Sequence, residues 1–216
     1  MKMKEDLQAI RKDYVKGALR REAMPSNPFV LFEEWLHQAI EAGANEPTAV
    51  LVGTVSPQGT PSSRTVLLKG VENNEFVFYT NYNSRKGTHL ANNPHISLTF
   101  LWHEMERQVH VEGVAHKLPP EVSDAYFSKR PYRSRIGARI SPQSQPIPSR
   151  IFLLRRFMKE ASLWITKEVE RPDFWGGYGV VPSRFEFWQG RPSRLHDRFL
   201  YELKEDGEWE INRLSP

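Results

Sequence analysis

Ala49-Val50-Leu51-Val52-Gly53-Thr54-Val55, Arg64-Thr65-Val66-Leu67-Leu68-Lys69 and Phe76-Val77-Phe78-Tyr79-Thr80 decide the fold. Short polar turns separate these runs, Ser56-Pro57-Gln58-Gly59 before the second and Glu72-Asn73-Asn74-Glu75 before the third. Apolar, β-branched runs joined by tight turns predict an antiparallel meander. Working outward, Ile96 to Trp102 and Gln108 to His116 add two strands, and Arg184 to Gln189 and Arg198 to Leu203 a final pair. Ser26-Asn27-Pro28 starts a helix, with Asn27 as N-cap and Pro28 at the first helical position. Phe29, Phe32, Leu36, Ala39 and Ile40 then recur at helical spacing up to Gly43. The sum is a mainly β protein with peripheral helices, a β-barrel of one domain over residues 25–216. Residues 1–24 form an N-terminal arm, mobile or helical over Asp6 to Arg21, with Leu7, Ile10, Tyr14 and Ala18 on one side. Pro-rich Ser141 to Pro148 is a loop within the domain.

A chain of 216 residues, 39% hydrophobic and 12% aromatic, has enough apolar side chain for a sizeable core. There is no cysteine, so disulfides, thiolate nucleophiles and Cys-ligated metals are excluded, and redox chemistry requires a bound cofactor. The seven histidines show no paired metal-ligand spacing, and no metal is expected. Met1-Lys2-Met3-Lys4-Glu5-Asp6 lacks the apolar core of a signal peptide, and no run reaches membrane-spanning length. The expected location is the cytoplasm. A net charge of +4 suits nucleic acid or phosphorylated small molecules equally. With acidic residues interspersed throughout and no nucleic-acid-binding motif, small molecules are expected, not nucleic acid or membrane.

Several groups could hold anions. Ser84-Arg85-Lys86 opens a short helix through Thr88-His89-Leu90-Ala91, placing two cations where backbone N–H groups are free; a solvated basic turn has the same sequence pattern. Arg64 and Lys69 are five apart and face opposite sides of a regular strand, so either a bulge intervenes or they serve different partners. Tyr126 and Arg130, four apart in a helix stopped by Pro131, share a face, with Ser134 close behind. Gln108, Gln143 and Ser144 are neutral donors and acceptors suited to a heterocycle's edge. On an extended strand Arg194, His196 and Arg198 point the same way, beside Trp188, and would face an anionic planar ligand.

Taken together, these stretches resemble the flavin-dependent pyridoxamine 5′-phosphate oxidases. The likeness rests on Arg64 to Lys69, Phe78-Tyr79-Thr80-Asn81, Ser84-Arg85-Lys86, Glu106-Arg107-Gln108-Val109, Gln143-Ser144, Phe174-Trp175-Gly176-Gly177, Phe187-Trp188-Gln189-Gly190 and Arg194-Leu195-His196-Asp197-Arg198, in order along the chain. The resemblance implies an FMN-binding split β-barrel and a homodimer with FMN at the subunit interface. It implies oxidation of pyridoxamine or pyridoxine 5′-phosphate to pyridoxal 5′-phosphate, with O2 reduced to H2O2. A barrel that merely carries FMN or a B6 phosphate is the alternative, but a carrier needs no substrate cradle. By motif position Arg64, Thr65, Val66, Leu67, Leu68, Lys69, Tyr79, Thr80, Arg85, Lys86, Gln108, Gln143, Ser144, Trp188 and Arg198 would line the FMN site. Lys69, Tyr126, Arg130 and Ser134 would hold the substrate phosphate. Arg194, Leu195 and His196 would face the pyridine ring, Arg194 and His196 as the catalytic pair. Arg11 and Tyr14 match a segment that in this family can fold over the active site. Arg139 departs from the pattern, standing where an aromatic is common.

Overall fold

The structure, a computed structural model, describes residues 13–216, which cluster into two compact units. The larger unit comprises Thr48–Leu98 and Glu112–Ser183. The smaller comprises residues 13–47 with Thr99–Val111 and Arg184–Pro216. Among the described residues no helix is long and apolar enough to cross a membrane.

In the larger unit, β1 (Ala49–Val55) and β2 (Pro61–Leu67) form a hairpin in which Val52 faces Arg64. The strand expected over Arg64 to Lys69 breaks after Leu67. Leu68 N–H donates to the Thr48 carbonyl and Lys69 N–H to the Val77 carbonyl. The chain thus exchanges β1 for β4 (Glu75–Asn81) as its neighbour and continues as β3 (Gly70–Glu72). That change of partner, rather than a bulge, separates Arg64 from Lys69. The hydrogen-bonded order is β2-β1-β5-β6-β7-β4-β3, with β5 at His95–Trp102, β6 at Arg107–Lys117 and β7 at Trp175–Gln189.

β7 is much longer than the strand read from Arg184 to Gln189. Its first half holds Gly176, Gly177 and Gly179, residues of poor strand propensity that hide it in the sequence. Packing requires them: a Cβ on Gly176 would lie 2.2 Å from the Tyr82 hydroxyl, and one on Gly177 2.7 Å from Leu118. The unit also carries α2 (Arg85–Asn92), α3 (Pro120–Lys129), α4 (Tyr132–Ile140) and α5 (Arg150–Leu163). The last two were not foreseen. Phe127, Ile136, Trp164, Val169 and Trp175 form a core beneath α3 and α4.

In the smaller unit α1 (Pro28–Glu41) begins as read, with Asn27 Oδ1 accepting the Phe29 N–H at 3.0 Å. Its buried face is Phe29, Leu31, Phe32, Trp35 and Ala39; Ile40, expected on that face, is exposed. The second half of β7 pairs with β8 (Asp197–Leu203), and β8 with β9 (Trp209–Leu214), which sequence reading missed. Phe185, Phe187, Phe199 and Tyr201 are fully buried there.

Of the segment Asp6 to Arg21, expected to be mobile or helical, residues 6–12 lie outside the described residues. Residues 13–20 form no regular element, and the first helical turn among the described residues is Arg21–Ala23. The physical cause is competition for backbone donors. Val15 and Lys16 N–H donate to Glu106 Oε2 at 2.8 and 3.0 Å, and Leu19 N–H to Asp197 Oδ2 at 3.0 Å.

Helix α2 is held tightly to the preceding strand end. A Cβ on Gly87 would meet the Tyr82 carbonyl oxygen at 2.1 Å, a backbone atom that cannot rotate away. Gly87→Ala is expected to destabilise the protein by about 1–3 kcal/mol through overpacking. A calorimetric or CD melt reads this as a drop of several degrees in Tm.

Candidate functional site

Three cations converge in the larger unit. Ser84 caps α2, its Oγ accepting the Gly87 N–H at 3.3 Å, and α2 thereby presents Arg85 and Lys86 from its first turn. Lys86 is buried; its Nζ donates to Thr80 Oγ1 at 2.9 Å, Gln143 Oε1 at 3.0 Å and Ser84 Oγ at 3.4 Å. Thr80 Oγ1 donates to the same Gln143 oxygen at 3.2 Å. Arg64 reaches across the hairpin: NH1 donates to the Val52 carbonyl at 3.1 Å and Thr54 Oγ1 at 2.7 Å, NH2 to Ser62 Oγ at 2.9 Å.

No carboxylate pairs with these cations among the described residues, although other arginines of the unit are paired, Arg139 with Glu160 and Arg171 with Asp124. The cost is visible in their acidities. Burial, then the charge of Arg64, lowers the Lys86 pKa from 10.5 to about 8. Burial, then Arg85, lowers that of Arg64. A phosphate would relieve both the desolvation and the mutual repulsion.

A second cluster lies on α3. Tyr126 stacks on Tyr79, with centroids 3.8 Å apart and planes 11° apart, and Trp175 lies nearly parallel to both, 5.6 Å from Tyr79 and 6.2 Å from Tyr126. Arg130, at the helix C-cap, lies over the Trp175 ring at 4.5 Å. Its NH1 is buried with no hydrogen-bond partner. A buried, unsatisfied guanidinium nitrogen is costly and marks a place for an anion. Burial raises the pKa values of Tyr79 and Tyr126, keeping both as hydroxyl donors. Ser134 lies exposed in the first turn of α4, and Lys69 is exposed at the β2–β3 break.

The remaining larger-unit positions are less convergent. Thr65 and Leu67 are exposed on β2, Val66 is half-buried and Leu68 buried. Ser144 is exposed with φ of +70°, in the loop that delivers Gln143. Arg139 takes up the space beside α5: it donates to Glu160 Oε1 at 2.6 Å and lies over Trp164 at 4.4 Å.

The smaller unit brings Tyr14, Trp188 and His196 together. Tyr14 is edge-on to both, at 5.6 Å, and Trp188 and His196 are 4.7 Å apart. Gln108 and Trp188 help line an adjoining cavity of about 210 Å³, with Tyr14 and Glu106. Arg194, however, is not on a strand. β8 starts at Asp197, and Pro192–Arg194 is a helical turn with Ser193 and Arg194 at φ of +58° and +61°. Arg194, His196 and Arg198 therefore do not alternate along one strand. Pro192 has no N–H to pair and its carbonyl accepts the Leu195 N–H, closing the turn. Arg194 and Leu195 are exposed, and His196 Nδ1 accepts the Arg191 N–H at 3.1 Å. Arg198 is tied up within the unit, donating to Glu186 Oε1 at 2.8 Å and to the Ser215 carbonyl at 2.7 Å. Arg11 lies outside the described residues.

Sequence reading passed over four residues that hold these clusters. Thr54 and Ser62 fix Arg64 and carry no signal beyond being hydroxyls on neighbouring strands. Trp175, quoted only within a motif, carries Arg130. Glu106 holds the arm against Trp188 and His196, its left-handed backbone (φ +56°) turning the chain between β5 and β6.

Residues 36–163 match the family model described as pyridoxamine 5′-phosphate oxidase. Residues 175–216 match that described as pyridoxine 5′-phosphate oxidase C-terminal dimerisation region. A pyridoxine/pyridoxamine 5′-phosphate oxidase of Bacteroides thetaiotaomicron is 67% identical over 207 residues, covering 96% of this chain and 97% of that protein. One from Porphyromonas gingivalis is 59% identical over 207 residues, with the same coverage of each. One from Chromobacterium violaceum is 50% identical over 214, covering 99% of this chain and all of that one. Among solved structures, PhzG from Burkholderia lata 383, crystallised with tetrahydrophenazine-1-carboxylic acid, superposes with a TM-score of 0.85 at 28% identity, over 92% of this chain and 98% of that one. The motif order, the split-barrel architecture and these near full-length likenesses agree: the chain belongs to the pyridoxamine 5′-phosphate oxidase family.

Proposed function

We propose that the protein is an FMN-dependent oxidase that converts pyridoxamine or pyridoxine 5′-phosphate to pyridoxal 5′-phosphate, reducing O2 to H2O2. The observation that carries the assignment of roles is the pair of cation clusters without carboxylate partners, since flavin and substrate each bring a phosphate. Arg64, Arg85 and Lys86 hold the flavin phosphate. Arg130, Tyr126, Ser134 and Lys69 hold that of the substrate. The backbone of Thr65 to Leu68, with Tyr79, Thr80, Gln108, Gln143, Ser144, Trp188 and Arg198, completes the flavin's surroundings. The protein acts as a homodimer with FMN at the subunit interface, and as one domain over residues 25–216.

Bound FMN supplies the two-electron acceptor and returns the electrons to O2. The chain's own task is alignment. Binding energy from the remote phosphate holds the substrate's reacting carbon in place. Arg194 and His196 face the pyridine ring: the guanidinium stabilises negative charge as the C–H bond breaks, and the imidazole hydrogen-bonds the substrate or removes its proton. Leu195 and Tyr14 close over that face.

Purified protein should be yellow, and an oxygen electrode should record consumption of O2 on adding pyridoxine 5′-phosphate, matched by H2O2. A colourless protein that consumes no O2 after incubation with FMN would contradict this function. Arg130→Ala should raise KM for the phosphorylated substrate roughly 10- to 100-fold with a smaller change in kcat, because a charged hydrogen bond to phosphate is lost. Steady-state kinetics reads both constants.

Lys86 makes flavin binding pH-dependent. In the free protein it loses its proton near pH 8 rather than 10.5, whereas a bound phosphate favours the charged form. Binding therefore takes up a proton between those values. FMN affinity should be flat with respect to this group below pH 8 and fall above it, by up to about tenfold per pH unit. In Lys86→Arg, charged throughout, fluorescence titrations should show that slope removed.

A further inference from the structure

His89 belongs to the Arg64 cluster yet has no role in the flavin site described above. It sits on α2, four residues after Arg85, and is only 5% exposed. Its Nδ1 is 3.1 Å from Thr54 Oγ1. Thr54, itself 2% exposed, accepts from Arg64 NH1 at 2.7 Å.

The directions of these bonds follow from proton counting. A guanidinium only donates, so the Thr54 oxygen is the acceptor there. A hydroxyl has one proton, and the remaining partner for it is His89 Nδ1. The imidazole must therefore present a lone pair at Nδ1 and carry its proton on Nε2. The result is a one-way chain: Arg64 N–H to Thr54 oxygen, Thr54 O–H to His89 Nδ1. With the bonds from NH1 to Val52 and from NH2 to Ser62, it holds the planar guanidinium against β1. Three of the five guanidinium N–H groups are engaged in this way, leaving Nε–H and one NH2 proton for an anion.

We propose that His89 is a positioning residue for the cofactor phosphate. By accepting the Thr54 proton it turns the hydroxyl lone pair toward Arg64 and fixes the direction in which the guanidinium offers its free donors. Without that acceptor, the buried hydroxyl must seek another partner, and Arg64 loses an anchor before the phosphate arrives. The inference rests on Arg64 being a ligand of the flavin phosphate.

The test compares FMN with riboflavin, which lacks the phosphate. Both are titrated into flavin-free full-length protein by fluorescence quenching. His89→Leu should weaken FMN binding about three- to tenfold, the size of one lost hydrogen bond, and leave riboflavin binding unchanged. His89→Asn, whose amide oxygen stands near the Nδ1 position, should restore FMN binding. Thr54→Val cuts the same chain and should behave as His89→Leu does, so it serves if that variant fails to fold. Equal weakening of both flavins, weakening of neither, or His89→Asn as impaired as His89→Leu would overturn the proposal. Arg64→Ala tells the two failures apart. If it leaves the preference for FMN over riboflavin intact, the assignment of Arg64 to the phosphate falls and the role of His89 with it. If it abolishes the preference while His89→Leu does not, the inference alone falls.

Discussion

Positive charge held without negative charge is the constraint around which the larger unit is organised. Arg64, Arg85 and Lys86 repel one another, and Lys86 is buried as well. Since the fold disfavours its charged form, Lys86 lowers the stability of the free protein up to about pH 8, and that penalty fades as pH rises toward 10.5. Neutral groups soften the cost: Thr80, Ser84 and Gln143 around Lys86, Thr54 and Ser62 around Arg64. None of them cancels charge. Such an arrangement binds phosphate well because the pocket gains from filling what a carboxylate would otherwise fill. The same logic holds at Arg130, supported on Trp175 but left with one unsatisfied nitrogen.

The backbone makes this arrangement possible at a few tight places. The change of partner at Leu68 and Lys69 sends Arg64 and Lys69 to different neighbours. Gly87 lets α2 press against Tyr82, so that the first turn of the helix meets the hairpin carrying Arg64. Gly176 and Gly177 let β7 pass close to Tyr82 and Tyr79. In the smaller unit the device is an acid rather than a glycine. Glu106, buried, gathers the backbone of residues 15 and 16 and so holds Tyr14 edge-on to Trp188 and His196.

What could be read from the sequence was what depends on local pattern. The meander, the Asn27-Pro28 helix start and the short helix opened by Ser84-Arg85-Lys86 all follow from period and capping chemistry. The first half of β7 did not, because its glycines are there for close packing and erase the strand signature. Alternation, a rule about regular backbone, puts Arg194 on a strand, but Pro192 together with two positive φ angles ends that regularity. Apolar spacing allows a helix in the arm, but at residues 15, 16 and 19 distant carboxylates on Glu106 and Asp197 take the donors a helix would need. Positions such as Thr54, His89 and Glu106 act through partners far away in sequence, and no spacing rule reveals them. Of the residues suggested by family likeness, Lys86, Thr80 and Gln143 lie together, as do Tyr79, Tyr126 and, supported on Trp175, Arg130, and as do Tyr14, Trp188 and His196. Arg194 and Leu195, by contrast, are exposed on a turn, and Arg198 is committed to Glu186 and the C-terminal segment.

The central claim is that the unpaired cations of the larger unit are the seat of the flavin phosphate. A crystal structure of the protein with bound FMN tests it most directly. The account predicts the phosphate oxygens within hydrogen-bonding distance of Arg64 and Lys86, with the Arg64–Thr54 bond retained. A phosphate seated on other residues, with Arg64, Arg85 and Lys86 still facing no anion, would contradict it.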